Sequence, residues 1–174
     1  MDQIVHPSAD ERVDPQTFRN AMGAFATGVA VVTAADNGVW FGMTMNSLTS
    51  VSLDPCLLLI CPRRGSATGT AMKSSGQFAI SLLNNTQKDL AGRFVGKGAS
   101  MSDRFDGLNV EIGLRGLPVL RDALSSFECV VRDIHPGGDH DIVIGEVVSC
   151  RRHDGDPLIF FRGNFGSYAQ EHQL

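Results

Sequence analysis

Hydrophobic and polar residues alternate along much of this chain in short runs separated by glycine-rich turns, a pattern typical of β-strands. Residues 28–34 and 39–45 are the first two runs, and Asn37-Gly38 between them is a strong signal of a β-hairpin. Further runs lie at residues 57–61, 77–83, 126–134, 141–150 and 157–162. The pattern predicts six or seven strands without the regular strand–helix alternation of a doubly wound fold.

Short segments with helical spacing interrupt these strands. Asp14 followed by Pro15 is typical of a helix start, and Phe18, Met22 and Phe25 then recur on one face, which predicts a helix over residues 15–25. The remaining signals are Ser66 and Thr86 as helix caps, Gly76 as a helix end, helices over 66–73 and 86–95, and a glycine-rich loop over 96–107.

These elements fit one domain over residues 14–168 of the 174-residue chain, with flexible tails at 1–13 and 169–174. The predicted fold class is mainly β with short helices, and a small antiparallel barrel is the simplest architecture because closing the sheet removes its exposed edges. The barrel interior is expected to be filled by side chains.

Composition narrows the possible functions. The formal net charge is −4 and 20% of residues are charged, so no general attraction to the phosphates of nucleic acids is expected. The longest apolar run, residues 56–61, is far shorter than the ~20 residues that a membrane span needs, and the first thirty residues lack a secretion-signal layout. We therefore expect a cytoplasmic protein without nucleic-acid or membrane partners.

The cysteines lie at positions 56, 61, 129 and 150, each in an apolar or β-like stretch, and no two form a Cys-x-x-Cys pair. This distribution favours buried free thiols over disulfides or zinc ligands. No metal site is predicted from them.

Residues 42–55 (GMTMNSLTSVSLDP) carry an unusual density of hydroxyl and amide side chains beside a strand. Because side chains alternate along a strand, Thr44 and Asn46 share a face with Gly42, and Ser50 shares one with Ser52. Two such polar rows suit the polar edge of a planar heterocycle. The alternative is a hydroxyl-rich strand whose turns close a corner of the barrel.

Residues 63–70 (RRGSATGT) follow a predicted buried strand and begin a helix. A helix N-terminus presents unpaired amides and the positive end of a dipole, so flanking arginines and hydroxyls there could complete a phosphate site. Alternatively, Ser66 only caps the helix beside a pair of solvated arginines.

Residues 135–141 (HPGGDHD) form a turn with two histidines and two carboxylates. No further ligands for a metal converge on this turn in the sequence, so a metal site is disfavoured. His140 leads into a strand, where its side chain either contacts a ligand at the mouth of the barrel or only satisfies the turn.

Taken in order, several of these segments resemble the flavin reductase-like family. The resemblance runs from about Phe18 to Tyr168 and rests on residues 28–33 (GVAVVT), 42–55, Ser66-x-Thr68-x-Thr70, 78–83 (FAISLL), 90–94 (LAGRF), 138–140 (GDH) and 145–147 (GEV). It implies an FMN-binding split barrel and a homodimer. It also implies an NAD(P)H-dependent flavin reductase that reduces FAD or FMN and releases it to a separate flavin-dependent monooxygenase.

The resemblance also implies roles for particular residues. The isoalloxazine and ribityl chain would be held by Gly42, Met43, Thr44, Met45, Asn46, Ser47, Leu48, Ser50, Val51 and Ser52. The phosphates would lie towards Cys61, Ser66, Thr68 and Thr70, with Phe94 bordering the flavin. His140 would approach the nicotinamide in a binding role before a catalytic one, and Phe18 and Arg19 would face the pyridine nucleotide.

One position departs from the pattern, since family members often have two prolines where this chain has Pro55-Cys56. The resemblance implies FAD or FMN as the cofactor, with a slight preference for FAD, and NADH or NADPH as the reductant. Two alternatives stay open: a non-catalytic flavin-binding or redox-sensing protein on the same barrel, and a reductase that keeps its flavin and reduces ferric iron or a corrinoid.

Overall fold

The computed structural model describes residues 12–96 and 103–168 of the chain. The helices are α1 (Pro15–Met22), α2 (Ala67–Ser75) and α3 (Lys88–Arg93). The strands are β1 (Thr27–Gly28), β2 (Ala30–Asp36), β3 (Val39–Met45), β4 (Leu48–Leu53), β5 (Cys56–Ile60), β6 (Gln77–Leu82), β7 (Val110–Ile112), β8 (Pro118–Leu120), β9 (Ser125–Gly137), β10 (His140–Arg152), β11 (Leu158–Phe161) and β12 (Asn164–Ser167). Most of the two predicted tails lies outside the described residues.

A seven-stranded antiparallel sheet in the order β3-β2-β6-β9-β10-β5-β4 forms the body of the protein. Two smaller antiparallel sheets, β1-β11-β12 and β7-β8, pack beside it. The predicted mainly β class with short helices is confirmed. The sequence pattern missed β4, β7, β8 and β12, because these strands are short or polar and lack a clear alternation.

Local turn and cap chemistry follows the sequence closely. Asn37 and Gly38 have φ of 49° and 77°, as the predicted hairpin requires. The Asp14 carboxylate accepts from the Thr17 amide at 2.8 Å to begin α1, and Gly76 ends α2 with a φ of 69°. Two predicted bounds are wrong: α1 stops at Met22, and α3 begins only after Thr86, whose amide is held in a turn by Asn84 Oδ1 at 3.0 Å.

The strand β4 lies at the edge of the large sheet and pairs with β5. The register shifts between Ser50 and Ser52, so Val51 is an extra residue that forms a β-bulge. The simple alternation predicted for Ser50 and Ser52 is therefore interrupted.

The core is divided by β2, which is buried on both faces. Val32 packs in one cluster with Ile60, Met72, Phe78, Ile80 and Val143. Val31 packs in a second cluster with Leu83, Phe94, Phe105, Leu120 and Leu158. The second cluster fixes α3 and the segment after it against the sheet, which brings Phe94 onto β3.

The four cysteines are free, but the expectation that all are buried is wrong for Cys56 and Cys150, which are exposed. Cys56 pairs with Leu53 beside the turn of the β4–β5 hairpin, where Leu53 is 87% exposed. Cys61 is half-buried, and only Cys129 is fully buried. Burial, followed by the charge of Glu128, raises the pKa of the Cys129 thiol to about 12, so this thiol is neutral in the folded protein.

Candidate flavin site

A cleft of ≈ 740 Å³ opens between β3, the start of α2 and the segment that follows α3. Six residues predicted to bind flavin line this cleft: Gly42, Met43, Thr44, Ser66, Thr68 and Phe94. They come from three separated parts of the sequence, and the fold brings them together. We call this space the main cleft.

The start of α2 is fastened to the first residues of β10. The Asp141 amide donates to the Pro62 carbonyl at 3.0 Å. The Asp141 carboxylate pairs with Lys73 Nζ at 2.5 Å and with Arg64 Nε at 3.2 Å. The hydrogen bond and charge of Lys73, followed by those of Arg64, hold the pKa of Asp141 below its ordinary value. Asp141 therefore fixes the loop before α2, which carries Arg63 and Arg64 at the edge of the main cleft.

Phe94 forms one wall of the main cleft. Its carbonyl accepts from the Thr44 amide at 3.2 Å, and the Thr44 hydroxyl donates to the Ala91 carbonyl at 2.6 Å. The ring contacts Phe105 edge to face with centroids 5.1 Å apart, and Phe105 contacts Trp40 at 5.5 Å. This chain of aromatic rings holds the wall against β3.

Arg104 also lines the main cleft, although no motif or spacing in the sequence points to it. Arg104 is 5% exposed. Its guanidinium donates to the Phe94 carbonyl at 3.4 Å and also to the Gly96 carbonyl. The sequence predicts a glycine-rich loop at position 104, where an arginine is usually solvated. In the structure its neighbour Phe105 packs against Trp40 and Phe94, which are far from it in sequence, and no sequence pattern reports that packing.

A second, more apolar cleft of ≈ 460 Å³ lies beside α1. The predicted site residues that line it are Phe18, Asn46, Ser47, Leu48 and Cys61. Burial raises the pKa of the Cys61 thiol, so the thiol stays neutral. Met45 lines a smaller adjoining space of ≈ 350 Å³ together with Asn46 and Leu48. The polar strand end, predicted to line one flavin site, is thus divided between neighbouring clefts.

The remaining predicted residues line none of these spaces: Arg19, Ser50, Val51, Ser52, Thr70 and His140. Thr70 is exposed one turn into α2, and Arg19 bonds to Gln16 on the surface of α1. Ser52 accepts from the Asp54 amide at 3.2 Å in the turn after β4.

His140 lies next to the main cleft. It forms an isolated antiparallel bridge with Arg63, which lines the cleft. Its Nδ1 is 2.8 Å from Oδ1 of Asp139, and this bond with His140 lowers the pKa of Asp139. The carboxylate orients the ring, so the other ring nitrogen, Nε2, remains for a ligand.

The sequence profile of the family described as "Flavin reductase like domain" matches residues 22–169. The chain belongs to this flavin reductase-like family. The prediction made from the sequence is confirmed over most of the chain.

Two relatives of the flavin reductase-like domain match it over most of their own length. "FMN reductase (NADH) SmoA" of Agrobacterium fabrum is 44% identical over 90% of this chain and 87% of its own. "Flavin-dependent monooxygenase, reductase subunit HsaB" of Mycobacterium tuberculosis is 35% identical over 92% of this chain and 86% of its own. Each name describes that relative.

Among solved structures, the Streptomyces globisporus C-1027 "NADH:FAD oxidoreductase SgcE6 in complex with NAD and FAD fragments" superposes with a TM-score of 0.86. The identity is 34%, over 94% of this chain and 99% of that chain. The fold of this flavin reductase-like domain is therefore the antiparallel split barrel predicted from the sequence.

Two further properties of the domain bear on its chemistry. The described ranges, 12–96 and 103–168, contain no group of three His, Cys, Asp or Glu side chains placed to hold a metal ion. No helix within those ranges is long and apolar enough to cross a membrane.

Proposed function

We propose that this protein is an NADH-dependent flavin reductase that reduces FMN or FAD and supplies the reduced flavin to a separate monooxygenase. The observation that carries the proposal is the main cleft of a flavin reductase-like domain, which combines an aromatic wall with three arginines. A flat apolar ring system attached to an anionic phosphate matches that combination.

The residues of the main cleft fit the parts of a flavin nucleotide. The missing side chain at Gly42 lets the Phe94 ring pack against β3, and Phe94 provides an apolar border for a planar ring. Arg63 and Arg64, both exposed at the rim, and the hydroxyl-bearing start of α2 at Ser66 suit the phosphate. In this arrangement the predicted phosphate role of Ser66 coexists with its capping role, because a hydroxyl can accept and donate at once.

The pyridine nucleotide would bind beside the same cleft. His140, oriented by Asp139 and bridged to Arg63, is proposed to position the nicotinamide, with Phe18 and Arg19 of α1 contacting the same nucleotide. A bound flavin supplies the chemistry by accepting a hydride from NADH. The residues of the chain therefore need to bind, orient and exclude water, and the hydride step requires no general acid.

Release of flavin to another protein requires an open site. The rim of the main cleft is formed by exposed residues, Arg63, Arg64, Val95 and Gly96. This openness supports exchange of flavin as a substrate, and it matches the naming of HsaB as the reductase subunit of a flavin-dependent monooxygenase. A flavin that is reduced and released needs a partner oxygenase to consume it.

The choice of nucleotides follows from the relatives. SmoA is named as an FMN reductase that uses NADH, and SgcE6 is named as an NADH:FAD oxidoreductase. We therefore propose NADH as the reductant and either flavin as the acceptor, and we place the protein in the cytoplasm, where NADH is available.

We also propose that the protein is a homodimer. Phe18, Met22 and Phe25 are 61%, 50% and 68% exposed along one face beside the second cleft, an exposure typical of a surface covered in an assembly. One subunit also offers little enclosed volume for both a flavin and a dinucleotide. Light scattering at micromolar concentration should give twice the chain mass, and a fully active monomer would contradict the proposal.

Steady-state NADH oxidation with and without added flavin tests the function. In the absence of oxygen, a reductase that releases flavin oxidises one NADH for each free FMN or FAD added, and catalytic amounts of protein suffice. A flavin-retaining reductase of ferric iron or a corrinoid would consume NADH only with that acceptor, and a non-catalytic binder would not oxidise NADH at all. The second or third result would overturn the proposal.

A further inference from the structure

Arg104 is a buried cation whose hydrogen bonds are incomplete. Its Nη1 donates to the Phe94 carbonyl at 3.4 Å and its Nη2 to the Gly96 carbonyl. Its Nε is buried and has no acceptor within the part of the chain that the structure describes. Buried donors are nearly always satisfied in folded proteins, so the incomplete bonding of an arginine that lines a cleft is unusual.

The charge of Arg104 also indicates a missing partner. A guanidinium remains protonated at every accessible pH, so burial cannot neutralise it. Among the described residues, no carboxylate forms an ion pair with Arg104, whereas Arg64, Arg121, Arg132, Arg151 and Arg152 each have one. Among the described residues its acceptors are two carbonyl groups, and an anion in the adjoining cleft would supply the opposite charge.

A purely structural role for Arg104 is already performed by another residue. Arg93 Nη2, at the end of α3, donates to the carbonyls of Asp103 at 2.7 Å and Asp106 at 2.6 Å. Both arginines therefore connect the end of α3 with residues 103–106: Arg93 donates from the first segment to the second, and Arg104 from the second to the first. Of these two arginines, Arg104 lines the main cleft and Arg93 does not.

We propose that Arg104 is a binding residue for the phosphate of the flavin nucleotide, the phosphate of FMN or the corresponding one of FAD. This inference rests on the proposed function, since it names a residue of that same site. A phosphate would supply a negatively charged partner for the guanidinium. The isoalloxazine of an oxidised flavin offers only neutral acceptors. Arg104 thereby adds a buried contact to the exposed Arg63 and Arg64 at the rim of the main cleft.

The test compares FMN with riboflavin, which lacks the phosphate, on the full-length protein. Arg104→Gln should weaken FMN binding by roughly ten- to a hundredfold, as expected for a lost hydrogen bond to a charged group, and leave riboflavin binding within about twofold. The matched control Arg93→Gln should keep the wild-type ratio of FMN to riboflavin affinity. Arg104→Lys, which retains the charge, should recover part of the preference for FMN.

Each other outcome is decisive. Equal losses of FMN and riboflavin affinity in Arg104→Gln, or equal changes in the Arg93 and Arg104 variants, would overturn the phosphate assignment. If wild-type protein binds neither FMN nor riboflavin, the proposed function itself fails. If both Arg104 variants fail to fold, a structure of the wild type soaked with FMN decides: a phosphate oxygen within hydrogen-bond distance of Arg104 supports the assignment, and a phosphate elsewhere overturns it.

Discussion

The ring of Phe94 occupies the space that a side chain at Gly42 would need. A Cβ built on Gly42 would lie 2.5 Å from Cε1 and 2.7 Å from Cδ1 of Phe94, and 3.2 Å from Cζ of Phe105. Real Cβ atoms do not approach a ring so closely. The close approach of β3 to the aromatic wall therefore depends on the absence of a side chain at position 42.

Gly42→Ala should destabilise the protein by about 1–3 kcal/mol, because the buried Phe94 ring must move to accommodate the methyl group. Flavin affinity should fall as well, since the ring borders the main cleft. Chemical denaturation and flavin titration measure the two effects. Gly92→Ala is the control: its Cβ would meet nothing within 4 Å on α3, so stability should stay constant or rise slightly.

Ser66→Ala should weaken both folding and flavin binding. Its hydroxyl accepts from the Gly69 amide at 3.3 Å as the N-cap of α2, a contact whose loss typically costs about 1 kcal/mol. A lost bond to the flavin phosphate would lower the binding free energy by about 1.5–3 kcal/mol. Isothermal titration with FMN and thermal denaturation separate the two. Unchanged FMN affinity in Ser66→Ala would move the phosphate away from the start of α2.

Thr70→Ala tests the phosphate role that the family resemblance implies for Thr70. Because Thr70 is exposed and outside the lining of the main cleft, we expect a smaller loss of FMN affinity than for Ser66→Ala. Stability should change by no more than a few tenths of a kcal/mol. A loss equal to that of Ser66→Ala would instead show that the phosphate extends along the first turn of α2.

His140→Ala should raise the KM for NADH or slow hydride transfer by roughly ten- to a hundredfold, equivalent to about 1.4–2.7 kcal/mol of lost positioning, with flavin affinity retained. Stopped-flow reduction of flavin by NADH measures this. His135→Ala, an exposed histidine of β9 near the same turn, is the control and should behave as wild type. Matching kinetics in the His140 variant, with only thermal stability lowered, would restrict His140 to a structural role.

Asp141→Asn should destabilise the protein at neutral pH and not at low pH. Lys73 and Arg64 hold the pKa of Asp141 below its ordinary value of 3.8, so its stabilising contribution is complete above the unfolded value and is lost as pH falls through the lower folded value. Denaturation curves of variant and wild type should therefore converge in strong acid. The exposed Asp133→Asn is the control, and an equal pH-independent difference would show that charge is not the cause.

Much of the architecture is determined locally and can therefore be predicted from the sequence. The β-like runs at residues 28–34 and 39–45, the left-handed Asn37-Gly38 pair and the Asp14 and Ser66 caps each depend on neighbours within a few positions. The flavin reductase-like resemblance adds the arrangement of motifs along the whole domain, so both the fold class and the family follow from sequence.

The tertiary structure decided which of those segments lie together and which residues line each cleft. It divided the polar row after Gly42 between the main cleft and the cleft beside α1, and it left Thr70 outside both. It also buried Arg104 against Phe94. Alternation reports only which face of a strand a residue occupies. Burial of a loop arginine and exposure of Cys56 depend on packing between segments far apart in sequence, which no local pattern contains.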